Sequence, residues 1–406
     1  MRGRRGSSSR AGWCSVGGVT TTSAPPAVSV PLLDLKKQYA TLKNEILRVT
    51  GEVYESQGFI LGLRVEAFEK AIAAYTGAKH AIGMSSGTDA QLAVMMALGI
   101  GPGDDVVTSP YTFFASAGAV ARVGARPVFV DIDPETFNLD PSKLERALTA
   151  KTKLIQPVHL YGQCADMDPI RDVAKRKGIP VLEDACQSLG SAYKGVKAGA
   201  LGDSCAFSFF PSKNLGGFGD GGMVTTSDDA LAATLRAMRM HGETSRYHHK
   251  FVGGNFRLDA LQAAVLHVKL PHLDGWAGAR RANAKEIERR YRESGGLPFE
   301  RGGLKFPREA AGRHHVFNQF VVRVGGGRRD SLKEFLEKRA IGAAIYYPVP
   351  LHLQECFASL GGKAGDFPES ERAAKETLAL PVFPELTEAQ KAFLAATLAE
   401  FSRGSL

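Results

Sequence analysis

The chain is poor in cysteine and has no long apolar run. Its five cysteines, Cys14, Cys164, Cys186, Cys205 and Cys356, are odd in number and widely spaced, with no CxxC pair among them. That pattern argues against a disulfide framework or a zinc site and for a reducing, cytoplasmic compartment. No stretch reaches the roughly 18 apolar residues a membrane helix needs. Internal repeats and heptad arrays are also missing, which argues against solenoids and coiled coils. What is present is 406 residues, 44% hydrophobic and 23% charged, enough for one large and one smaller domain with an ordinary buried core.

Acidic residues are absent before Asp34. Four of the nine net positive charges, Arg2, Arg4, Arg5 and Arg10, lie in that acid-free start, which leaves +5 on the body. Residues 1–29 are rich in Arg, Ser, Gly, Thr and Pro and read as a disordered N-terminal extension. An Arg- and Ser-rich, acid-free start also has the look of a transit peptide, whereas the lack of an apolar core argues against a secretory signal. The mild charge of the body shows no basic stripe, so it suits anionic small substrates and gives no support for nucleic-acid binding.

From Leu32 onward, short apolar runs alternate with helical patterns. Strands are expected at His80–Met84, Asp105–Ser109, Pro127–Asp131, Leu154–His159, Pro180–Glu183 and Cys205–Phe209. Helices are expected at Asp89–Leu98, Ser116–Val123, Pro141–Leu148 and Pro169–Lys177. The alternation predicts an α/β fold with a mostly parallel sheet covered on both faces. Polar residues for chemistry should then gather at the strand ends. A long helix over about Leu258–Leu270, with more helix at Gly278–Glu293, should lead into a second domain. There Phe317–Val324 reads as a strand, and Arg329–Arg339 and Thr387–Phe401 as helices. The expected division is a large domain over 30–275 and a smaller α+β domain over 276–406.

Three segments carry chemistry. Cys205–Thr226, CAFSFFPSKNLGGFGDGGMVTT, sets Lys213 just after an apolar strand and follows it with five glycines in seven positions. So many glycines imply a tight path or a close approach to a ligand. A loop lysine is commonly a solvated charge, but one desolvated by a cofactor becomes a nucleophilic amine at neutral pH. Pro180–Ser191, PVLEDACQSLGS, ends a strand in Glu183-Asp184, with Gln187 following and Asp184 standing 29 residues before Lys213. Such an acid is either a helix cap or a carboxylate that keeps the pyridine nitrogen of pyridoxal phosphate protonated. Gly83–Ala90, GMSSGTDA, opens a helix. It is either an ordinary N-cap or a phosphate site built from free N–H groups and the helix dipole.

Together with PLLDLKKQY (Pro31–Tyr39), GFILGLRVEAFE (Gly58–Glu69), SPYTFFAS (Ser109–Ser116), PVHLYGQCADM (Pro157–Met167), GGNFRLDALQAAVL (Gly253–Leu266) and ALPVFPELT (Ala379–Thr387), these motifs resemble the DegT/StrS-like sugar-nucleotide aminotransferases of fold-type I. The resemblance runs from about Pro31 to the C-terminus. It implies pyridoxal 5′-phosphate as cofactor, with Lys213 as the Schiff-base lysine, Asp184 on the ring nitrogen and Gln187 near the ring hydroxyl. Phe113 matches the ring that stacks on the cofactor, and Gly87, Thr88 and Ser208 match phosphate ligands. Asn255 matches a phosphate ligand donated by the other subunit, which implies a homodimer with shared active sites. Cys186 stands where the family often has alanine.

The resemblance further implies L-glutamate as amino donor and a keto-sugar nucleotide as acceptor. Arg239–Gly254, RMHGETSRYHHKFVGG, and Tyr346–Gln354, YYPVPLHLQ, are expected to border the substrate, with His241, Arg257 and His352 as candidate contacts. His248-His249 has no metal-type spacing, so no metal is expected. SRYHHKFVG followed by RLDALQAA is most similar to the subgroup that aminates C3 of a UDP-linked 3-oxo-hexuronic acid for surface polysaccharide. A uronate carboxylate would suit an Arg-rich pocket. The alternatives are a dTDP-linked 3-oxo or 4-oxo 6-deoxyhexose, or a keto-inositol. Two other classes compete: dehydratases on the same fold, which replace the lysine with histidine, and non-catalytic regulators. The presence of Lys213, Asp184 and Gln187 argues against both.

Overall fold

The computed structural model describes residues 28–404. All but the last two residues of the expected N-terminal extension lie outside the described residues.

The chain opens with two helices, α1 (Leu35–Ser56) and α2 (Leu63–Thr76). The Asp34 carboxylate accepts from Lys36 N and caps α1, whose buried Leu42, Ile46, Val49 and Val53 recur at helical spacing. The main sheet then builds from β1 (His80–Met84), β2 (Asp105–Thr108), β3 (Arg126–Phe129), β4 (Thr152–Ile155), β5 (Leu182–Asp184), β6 (Ser204–Ser208) and β7 (Gly222–Thr226). Four strands run in the order β1-β7-β6-β5 and three in the order β3-β2-β4. Parallel bridges Ile155–Val181 and Val158–Asp184 join the two groups into one sheet. Every pair is parallel except those of β7, which lies antiparallel between β1 and β6.

Strand alternation divides the sheet between two cores. Ala81, Val107, Ile155, Cys205, Phe207 and Met223 face one core with α2 and α5 (Met167–Lys177). Ile82, Val106, Leu154, Leu182, Ala206 and Val224 face the other, with α3 (Gly87–Ala97), α4 (Ala115–Arg122) and α6 (Asp229–Met238). The expected doubly covered, mostly parallel sheet is therefore present.

Two local expectations differ. Pro141–Leu148 is not an α-helix but two short 3-10 turns, Pro141–Lys143 and Glu145–Ala147. Asp140 caps the first at Ser142 N, and Leu144, with the partly buried Ala147 and Leu148, packs against the core that α2 and α5 cover. β7 was hidden inside the glycine-rich motif, whose last five residues pair with both β1 and β6.

Helix α7 (Ala260–Lys269) passes through a 3-10 turn into α8 (Leu273–Glu293). Leu273 sits in the first core, whereas Ala284, Ile287 and Tyr291 belong to a core further along the chain. α8 thus runs from one to the other around the expected boundary at 275. The later core covers an antiparallel sheet of β8 (Leu304–Lys305), β9 (Phe320–Val324) and β10 (Thr377–Leu380), packed with α9 (Arg329–Glu337) and α10 (Glu388–Arg403). Val30, fully buried, joins this second core through a parallel bridge to Ile341.

Candidate active site

The ends of β1, β5 and β6 open onto one cavity of about 380 Å3. Seven of the residues singled out from the sequence line it: Gly87, Thr88, Phe113, Asp184, Gln187, Ser208 and Lys213.

The two neighbouring acids of β5 divide by strand alternation. Glu183 is fully buried, meets His159 Nε2 at 2.9 Å, and accepts from the backbone N–H of Gly199, Leu201 and Gly202. It ties down the loop before β6. Asp184 points the other way, into the cavity. Its Oδ2 accepts from Ser116 Oγ at 2.6 Å, and that hydroxyl is within 3.0 Å of Thr112 Oγ1. Neither partner was singled out from the sequence, although both lie in the SPYTFFAS motif and only the fold brings them beneath Asp184.

Lys213 follows β6 in a turn closed by its own N–H to Phe210 O at 2.8 Å. It is partly exposed and lines the cavity, where the surrounding protein desolvates the amine and lowers its pKa, against the opposing pull of Cys186 and Asp184. The glycines of this loop answer to close backbone approach. A Cβ on Gly216 would lie 2.2 Å from Pro211 O, and one on Gly222 would lie 2.3 Å from Ser86 O.

Across the cavity, Ser86 caps α3 by accepting from Asp89 N at 3.0 Å. The first N–H groups of that helix, at Gly87 and Thr88, have no carbonyl one turn earlier to bond. A Cβ at Gly87 would lie 2.7 Å from Cys186 Sγ and 2.8 Å from Ser208 Cβ, so glycine lets the start of the helix pack directly against these two side chains. Gln187 is held at both ends: its Oε1 accepts from Tyr161 N at 2.8 Å, and its Nε2 donates to Tyr347 Oη at 2.9 Å. Tyr161 adopts φ 59°, a left-handed conformation uncommon outside glycine, which aims this N–H. Phe113 is half exposed, its ring centroid 6.2 Å from that of Tyr347.

The other four predicted residues stand apart from the cavity. Asn255 is exposed on the segment after α6, bridging Met240. His241 is exposed on the same segment at φ 61°. Arg257 is partly buried, with Nη1 3.7 Å from Met240 Sδ. His352 is buried, its Nε2 3.2 Å from Glu371 Oε1 and its ring 4.7 Å from that of Phe367. Of the YYPVPLHLQ run, it is Tyr346 and Tyr347 that line the cavity, together with Gln319.

A family model matches residues 40–398, almost the whole described chain. The chain belongs to the DegT/DnrJ/EryC1/StrS aminotransferase family. A pleiotropic regulatory protein of Geobacillus stearothermophilus is 52% identical over 93% of this chain and 99% of its own. A UDP-N-acetyl-3-dehydro-alpha-D-glucosamine 3-aminotransferase of Acidithiobacillus ferrooxidans is 43% identical over 91% of this chain and 97% of its own. A UDP-2-acetamido-2-deoxy-3-oxo-D-glucuronate aminotransferase of Pseudomonas aeruginosa is 42% identical over 91% and 99%. The crystal structure of DesV of S. venezuelae superposes with a TM-score of 0.88 at 41% identity, covering 94% of this chain and 100% of that one.

As a DegT-family sugar aminotransferase of fold-type I, the protein depends on pyridoxal phosphate. The cavity fits that cofactor: a capped helix N-terminus, a desolvated amine and a buried carboxylate line it together. No helix of the described residues is long and apolar enough to cross a membrane.

Proposed function

We propose that the enzyme transfers the amino group of L-glutamate to C3 of a UDP-linked 2-acetamido-3-oxo-hexuronate, in a cytoplasmic homodimer with shared active sites. The observation that carries the catalytic part is one cavity holding both a desolvated Lys213 amine and the Asp184 carboxylate.

Bound pyridoxal phosphate supplies an electron sink for the carbanion left when the donor's α proton departs. The residues of this chain do the rest. Lys213 is the residue that would hold the cofactor, and its desolvated amine would move the proton at the donor's α carbon. Asp184, oriented by Ser116, would keep the ring nitrogen protonated, and Gln187 would hold the ring hydroxyl. Phe113 would pack on the ring. The N–H groups of Gly87 and Thr88, with the Ser208 hydroxyl, would hold the phosphate, and Asn255 of the partner subunit would complete that set. His241, Arg257 and His352 remain candidates for the nucleotide-sugar region. His352 would act there by shaping the wall, because its ring is buried.

The acceptor assignment rests on the two UDP-sugar relatives, one acting on a neutral 3-keto sugar and one on its uronate. The regulatory name borne by another relative favours a second reading, a cofactor-binding regulator without turnover. The purified protein should be yellow, lose that colour with glutamate, and show neither property as Lys213→Ala. Turnover should then be highest with the UDP-3-oxo-glucuronate among matched neutral, uronate and dTDP-linked acceptors. A yellow protein that never loses its colour with any amino donor would favour the regulator. Preference for the neutral sugar would replace the uronate assignment.

A further inference from the structure

Lys269, the last residue of α7, is 2% exposed, yet among the described residues no carboxylate pairs with its ammonium. Buried charges are costly unless paired, so an unpaired buried lysine calls for a reason. Its Nζ donates to the backbone carbonyl of Gly216 and lies 5.5 Å from the ring centroid of Phe218 and 6.0 Å from that of Trp276. Desolvation pushes its pKa down to about 8, opposed by the more distant Glu385. Seven residues earlier, on the same helix face, Gln262 Oε1 accepts from Phe218 N at 2.7 Å. α7 therefore holds the glycine-rich loop at two points. The held segment is the one that carries Lys213: Gly217 N donates to Phe209 O at 2.7 Å and closes the loop over residues 210–216.

We propose that Lys269, assisted by Gln262, is a positioning residue for Lys213, retained at a cost in stability because it fixes the loop from which the reactive amine projects. The ammonium touches neither substrate nor cofactor and acts only through the Gly216 carbonyl. An amine misplaced by about 1 Å loses up to a hundredfold in rate. Substrate affinity depends on other walls of the cavity and should be untouched.

The proposal rests on Lys213 as the anchoring lysine, which the bleaching of the yellow colour and its loss in Lys213→Ala test separately. The experiment compares Lys269→Met, Lys269→Arg and Gln262→Leu with the wild-type holoenzyme. In Lys269→Met, kcat should fall by about tenfold to a hundredfold with KM for the nucleotide-sugar unchanged. Colour should also develop more slowly when pyridoxal phosphate is added to the apoprotein. The melting temperature of that apoprotein at pH 7 should be no lower than wild type, because a buried charge has been removed. Lys269→Arg should recover most of kcat. An unchanged kcat in Lys269→Met would overturn the proposal, as would a joint fall of kcat and melting temperature without rescue by arginine. Should Lys269→Met not fold, Gln262→Leu decides: it must lower kcat at constant KM, and full activity would overturn the proposal.

Discussion

The cavity around Lys213 and the segment from Arg239 to Arg257 are both dense in residues the sequence marks as functional, yet they are built in opposite ways. In the cavity Asp184, Gln187 and the lysine loop are held by others of the same chain: Ser116 on Asp184, Tyr161 and Tyr347 on Gln187, Lys269 on the lysine loop. In the later segment His241, Arg246, Tyr247, His248, His249 and Asn255 stand exposed, while Arg239, Phe251 and Phe256 hold it to the body. Arg239 does so through a buried pair with Glu69, which also accepts from Gly83 N at 2.7 Å. The contrast teaches that a reactive amine is prepared by its own chain, whereas an exposed polar segment is left for something else to complete. A second copy of this chain is the occupant the proposed shared site requires.

The comparison can be broken most decisively at Asp184. Asp184→Asn removes the preorganised charge and should lower kcat by about 10²- to 10³-fold, measured in single turnover with glutamate. A smaller loss would mean the cavity does not depend on that carboxylate. Next, Asn255→Ala should weaken pyridoxal-phosphate binding by about tenfold to a hundredfold, the value of a hydrogen bond to a charged group. Mixing it with inactive Lys213→Ala sharpens the point. If Asn255 serves the partner's site, the mixed dimer brings both lesions into one site and leaves the other intact, so activity should reappear. Ser116→Ala should cost about tenfold in kcat, with Ser116→Thr restoring it, since one hydroxyl bond to a carboxylate is at stake.

A further effect is a pH slope in stability. Lys269 binds its proton less tightly folded, at about 8, than at the ordinary lysine value of about 10.4. Between those values the unfolded chain holds more protons, so apoprotein stability should climb with pH, and below about 8 this contribution is flat. Melting curves of wild type and Lys269→Met across pH 7–10 should differ by that climb. Parallel curves would show that Lys269 is not a buried cation.

Much of the site was legible because its parts are contiguous: a lysine after a strand, an acid ending a strand and small residues opening a helix each occupy one short segment. What was not legible depended on distant pairing. Pro141–Leu148 sets Leu144, Ala147 and Leu148 against the core at helical spacing, yet it stopped at two turns. The strand at Gly222–Thr226 exists because two neighbours flank it, and its first glycine answers to Ser86, far away in sequence. Ser116 looked like any helix-opening serine until β5 placed Asp184 above it.

By itself the sequence determined the alternation of strands and helices and the expectation of a sheet covered on both faces, which follow from local periodicity, while the resemblance carried by its motifs put forward Lys213 and Asp184 as the candidate reactive pair. The tertiary structure decided which acid of Glu183-Asp184 faces the cavity, which hydroxyl orients it, and that His352 is buried while Asn255 is exposed. It also decided that Lys269 lies buried on the lysine loop. The physical reason is the same in each case: orientation and desolvation are properties of what packs around a group, and those neighbours come from far along the chain.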